Sequence, residues 1–185
     1  MIRVIYFLLI FLSPFFISAQ QSLSFEEEDI TFEIKDNIFF VDGIYYFHSE
    51  TKHQYPIIYP FPKDTIYGMP FNIKVENLIT GENLSYKYNN DSSSVIFFAV
   101  IENFTPIKIS YQQELKSNKA KYILTTTKYW NKPLKQVGYK LVTDINFNIK
   151  SFSILPDKEI MIGNKQIYLW NKINFFPDID FELEF

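Results

Sequence analysis

Few side chains in this 185-residue sequence offer obvious chemistry. Cysteine is absent, which removes thiolate nucleophiles, sulfur metal ligands and disulfides together. Both histidines fall in one short run, His48-Ser49-Glu50-Thr51-Lys52-His53. That spacing is not the His-Glu-x-x-His of a zinc-protease helix, and the residues between predict a solvated hairpin loop. A Ser-His-Asp triad would have to be built around this loop, and no Gly-x-Ser-x-Gly elbow accompanies it. Thr125, Thr126 and Thr127 have no base beside them in sequence, which a nucleophilic threonine requires. Carboxylates are plentiful, so a glycosidase-type acid pair stays open. Glu26 to Asp29 read as a solvated lead-in to the first strand, and the alternating Asp178, Asp180, Glu182 and Glu184 as the outward face of another. Five glycines leave little room for a phosphate-cradling loop. No catalytic residue, metal ligand or cofactor is assigned.

The remaining candidates are aromatic. Tyr129, Trp130 and Trp170 form the candidate binding surface, since aromatic faces stack on a sugar or an apolar partner with little loss of side-chain freedom. A core role competes with this: Tyr168 and Trp170 share parity in one strand, as an inward-facing row would. Charge narrows the partners. Arg3 is the sole arginine, and without it the chain carries a net charge of −4, against −3 for the full sequence. A nucleic-acid partner is excluded on that ground, because such binding needs a basic stripe and is best served by guanidinium groups.

The elements that must position these residues are strands. Short β-branched and aromatic runs recur from Ile30 to Phe185 with no amphipathic helix of useful length. Among them are Ile30 to Ile34, Ile38 to Val41, Ile44 to His48, Tyr55 to Phe61, Val95 to Ile101, Ile107 to Leu115, Tyr122 to Trp130 and Val137 to Val142. Turn signals include Asp42-Gly43, Asn89 to Ser93 and Gly163-Asn164. The run from Val95 to Val100 is continuously apolar, which predicts burial on both faces. Pro56, Pro60 and Pro62 share parity, so an extended Tyr55 to Pro62 would put its missing N–H groups along one edge while Ile57, Tyr59 and Phe61 pair along the other. Such a strand belongs at a sheet edge, protected from pairing with another molecule. The expected fold is all-β, an immunoglobulin-like antiparallel β-sandwich, with an eight-stranded β-barrel as the alternative.

The elements PIIYPFP and YILTTTKYWNKPL resemble a pattern in a family of uncharacterised exported bacterial domains, in which an FPLP-like element precedes YILTT, a tryptophan and a proline. Asn131-Lys132 departs from the Lys-Gly or Gly-Lys type turn more usual there. The resemblance implies an exported β-rich fold and carries over no catalytic residue.

At the N-terminus, Arg3, the apolar run Val4 to Leu12, Ser13-Pro14 and the small residues Ser18 and Ala19 have the anatomy of a secretory signal peptide. Residues 1–19 are therefore expected to be a signal peptide and residues 20–185 a single β-sandwich domain, periplasmic or secreted, with no membrane span after signal removal. The function expected is a non-catalytic binding or envelope-structural module with a protein or glycan partner in the cell envelope. A small outer-membrane barrel and a secreted hydrolase using a carboxylate pair are the alternatives.

Overall fold

A computed structural model of the chain describes residues 23–63 and 66–185. The expected signal peptide lies outside the described residues. Strand β1 (Ser24–Lys35) turns at Asp36 and Asn37, whose φ values of 50° and 62° fit a tight hairpin, into β2 (Ile38–Pro60). There follow β3 (Tyr67–Asn77), β4 (Glu82–Asn83), β5 (Tyr86–Tyr88), β6 (Ser94–Leu115) and β7 (Lys119–Tyr122). A 3-10 helix spans Thr125–Trp130, and β8 (Leu134–Asp144), β9 (Ser151–Phe152), β10 (Lys158–Ile162), β11 (Lys165–Phe175) and β12 (Phe181–Glu184) complete the order.

The large sheet runs β10-β11-β8-β1-β2-β6-β3-β4, with β5 added to β6; the small one runs β7-β12-β9. Rings from both sheets meet between them. Phe32 on β1 stacks on Phe181 of β12 at 4.7 Å, and Trp170 on β11 meets the edge of Phe181 at 5.1 Å. The fold is thus a β-sandwich. Because the large sheet ends in two different edge strands, it is open, and the barrel alternative is overturned. Not every pair is antiparallel: β1 lies parallel to β8, Glu27 opposite Gln136 through Glu33 opposite Val142. No hairpin joins these two strands, so nothing local imposes opposite directions.

Several expected breaks are absent. The turn at Asp42-Gly43 is strand, since both residues pair with β1 and with β6. The histidine run is not a hairpin loop but a bulge inside β2, between Ser49 and His53, where β2 carries two more residues than β6. That even insertion preserves parity, so Phe39, Val41, Tyr45, Phe47, Ile57 and Tyr59 all face inward. Val95, Phe97 and Ala99 are buried, yet Phe98 is 56% exposed; the run is covered on one face only, because the second sheet lies on one side of β6. Glu26 and Glu28 are not a solvated lead-in. Both are buried within β1.

The proline-bearing end of β2 lies at a sheet edge, as expected, although the strand stops at Pro60 and leaves Pro62 outside it. The Phe61 N–H donates to Ser93 O at 2.8 Å on the β6 side, which by alternation turns positions 56, 58 and 60 toward the opposite edge. On that side β1 pairs with β2 only as far as His48.

Candidate functional site

The stretch expected to continue as a strand from Tyr122 to Trp130 leaves the sheet after Tyr122. Asp180, just before β12, causes the departure: its Oδ1 accepts from Leu124 N at 3.0 Å, Thr125 N at 2.9 Å and Thr125 Oγ1 at 2.8 Å. Two backbone donors that a ladder would have used are consumed. Thr127 Oγ1 then donates back to Leu124 O at 2.8 Å, the local bonding by which threonine competes with strand pairing. Asn131 ends the helix in the left-handed region at φ 55°. Although burial alone would raise it, the Asp180 carboxyl is held below its usual range by Thr125 and by Lys121, 3.0 Å away. Asp180 therefore anchors the helix rather than merely facing solvent.

The helix lies against the free edge of β2. Between them Pro56, Ile57, Ile58, Pro60, Thr126, Tyr129 and Trp130 line an apolar groove of about 480 Å³. Of the three predicted aromatics the structure brings two together here. Tyr129 is 76% exposed, with the Lys128 ammonium 5.8 Å from its ring centroid. Trp130 is half-buried, 5.9 Å from both Phe25 and Phe47. Trp170 does not belong to the surface: it is fully buried between the sheets, and its indole N–H donates to Ile154 O at 2.9 Å. Shared parity with Tyr168 was the signal for that inward row.

Beneath Trp130 is a smaller cavity of about 60 Å³, lined in part by Phe25, Glu28, Tyr45, Phe47, Tyr59 and Tyr122. Trp130, Ile57, Ile58, Pro60 and Thr126 line both spaces. Tyr45 Oη shares hydrogen bonds with Tyr59 Oη at 2.7 Å and Tyr122 Oη at 3.0 Å. Gly43 makes this possible. A β-carbon there would come within 2.6 Å of Tyr45 Cζ, so only glycine lets the phenol lie back across β2.

Among the described residues Glu28 is the one carboxyl lining this cavity. It is 2% exposed and accepts a short hydrogen bond from Tyr139 Oη on Oε1. Burial pushes it up to about 7, Tyr139 opposes the shift, and the charge of Asp29 adds to it. Burial also raises the phenols of Tyr45, Tyr59 and Tyr122 well above their ordinary value, so they stay protonated at neutral pH. Glu26 is occupied elsewhere, by Lys135 at 2.6 Å and Ser24 at 2.5 Å. A carboxylate pair is not assembled at the cavity. Among the described residues no three histidine, aspartate or glutamate side chains gather as a metal site, and no helix is long and apolar enough to cross a membrane.

Sequence reasoning missed Glu28, Tyr45, Tyr59 and Tyr122. The regular inward parity of β2 was a signal for the tyrosines; nothing local marked Glu28, whose neighbours in EEED suggest solvent.

The sequence matches no family model and no curated protein. Among solved structures the fold is similar to a candidate nutrient-binding protein from Legionella pneumophila, with a TM-score of 0.62 and 12% identity, covering 89% of this chain and 67% of that one. At that identity the likeness concerns the fold.

Proposed function

We propose that the protein is an exported, non-catalytic binding module that takes its ligand in the groove between β2 and the 3-10 helix. The observation that carries this is the groove itself: a concave apolar space of about 480 Å³, fronted by an exposed tyrosine and a half-buried tryptophan. Its size falls within the range of small-molecule sites. Proline at positions 56 and 60 withholds the backbone donors that an added strand would need, so recognition here runs through side-chain faces. A sugar ring or an apolar side chain of an envelope partner has the matching shape. The description of the Legionella protein agrees with a binding role, and the Arg3 to Ala19 segment has the anatomy of an export signal.

Amide and indole NMR spectra of the protein, recorded with small sugar, alkyl and aromatic probes, test the site. Shifts should cluster on Ile57 to Ile58 and Thr126 to Asn131, move the Trp130 indole but not that of Trp170, and disappear in Tyr129→Ala. Shifts confined to the outer face around Phe98 would overturn the assignment. Export is tested separately: intact mass of the protein recovered outside the cytoplasm should fit a start at Gln20.

A further inference from the structure

We infer that the cavity beneath Trp130 receives the ammonium headgroup of a primary amine whose apolar tail lies in the outer groove. This rests on the groove reading and names the chemistry of its ligand. Glu28 is buried, lines the cavity, and has its Oε1 engaged by the Tyr139 hydroxyl. A buried carboxyl that ionises favours a cationic guest, because a buried charge is costly unless it is paired. Among the described residues no lysine lines the cavity, and Lys132 and Lys135 are directed at Glu26.

The walls suit a cation as well. Phe25, Tyr45, Phe47, Tyr59, Tyr122 and Trp130 surround the space, and aromatic faces attract ammonium groups, most strongly where water is excluded. The linked hydroxyls of Tyr45, Tyr59 and Tyr122 have lone pairs with which to accept N–H bonds. Size then selects the headgroup. A cavity of about 60 Å³ exceeds the roughly 10–15 Å³ needed to hold one water, which leaves room for an ammonium and the carbons next to it but not for a long chain. The remainder of the ligand must lie past Trp130, where the groove is apolar.

Empty, the cavity holds Glu28 protonated up to about pH 7; an entering ammonium favours the carboxylate and displaces that proton. The other titratable groups acting on Glu28 are Asp29, beside it, and the phenols of Tyr139, Tyr45, Tyr59 and Tyr122. The phenols remain protonated throughout the range that matters.

The test compares n-hexylamine with its neutral counterpart n-hexanol, titrated into the folded protein while the Trp130 indole resonance is followed. Hexylamine should bind about tenfold more tightly at pH 8 than at pH 6, as Glu28 ionises, whereas hexanol should show no such change. At pH 8, Glu28→Gln should weaken hexylamine at least tenfold and leave hexanol unaltered. Equal, pH-independent binding of both probes to the wild-type protein overturns the ammonium site and leaves the groove reading standing. Failure of both probes to perturb Trp130 overturns both. The pH series on the wild-type chain decides the matter even if the variant does not fold.

Discussion

Replacing Glu28 with glutamine should abolish a distinctive fall in stability with rising pH. In the unfolded chain this carboxyl releases its proton near 4.5; in the fold it holds it to about 7. Between those values the native state binds more protons, so the stabilising contribution is complete below 4.5 and is lost as pH rises through 7. The gap corresponds to about 3 kcal/mol, of which roughly 2–3 kcal/mol is lost between pH 5 and pH 9. Glutamine is isosteric, accepts the Tyr139 hydroxyl and carries no charge at any pH. Its stability profile should therefore be nearly flat over the same interval and exceed that of the wild type at pH 9. Urea unfolding followed by tryptophan fluorescence measures this, in phosphate rather than Tris, because a primary-amine buffer would itself occupy the proposed site. Glu26, Asp157, Asp180 and Glu182 are all shifted downward, with opposed contributions from burial and from their partners, and titrate below this window. His48 and His53 are common to both proteins and cancel in the comparison. A wild-type profile without the fall, or a glutamine variant that retains it, would refute the reasoning.

Trp170→Ala should cost about 3–5 kcal/mol, the range for emptying a large aromatic site, while Trp130→Ala, at a half-buried position, should cost about 1–3 kcal/mol and abolish probe binding; thermal melts of the pair compare them. Asp180→Ala strands the Leu124 and Thr125 donors and should cost about 1–3 kcal/mol, with hydrogen exchange accelerated at those two amides and not in β8. Replacing Pro56 and Pro60 together with threonine restores two donors on the free edge of β2 and should shift the protein from monomer toward larger species in size-exclusion chromatography with light scattering; an unchanged monomer at high concentration would count against edge protection.

Much of the fold was legible because strand parity is a strong signal when one face is buried. The odd-numbered aromatics of β2 and the proline phase at 56 and 60 each followed from a period of two. What failed was continuity. Asp42-Gly43 has turn chemistry, but paired strands on both sides and the Tyr45 ring lying over the glycine keep it extended. Thr125 to Trp130 has strand propensity, but Asp180, more than fifty residues away in sequence, supplies the competing acceptor. Tyr129 and Trp130 are candidates for a binding surface on their aromatic faces alone; the exposure of Tyr129 and the half-burial of Trp130 follow from the 3-10 helix, which their strand-like sequence does not indicate. Glu28 could not be picked out: apart from Phe25 on its own strand, the cavity it lines is walled by residues of β2, β6, β7 and the 3-10 helix, all distant from it in the chain.

The parallel pairing of β1 with β8 also governs how the molecule comes together in time. Glu27 must meet Gln136, a contact across roughly a hundred intervening residues, and closing so long a loop slows folding before any pairing energy is gained. Until β8 has been synthesised, β1 can pair only with β2, so the emerging chain carries an unprotected strand edge through most of its synthesis. That edge contains Ile30, Phe32 and Ile34, unlike the proline-guarded one at the other end of β2. A nascent chain of this kind is exposed to self-association along that edge until β8 arrives to cover it.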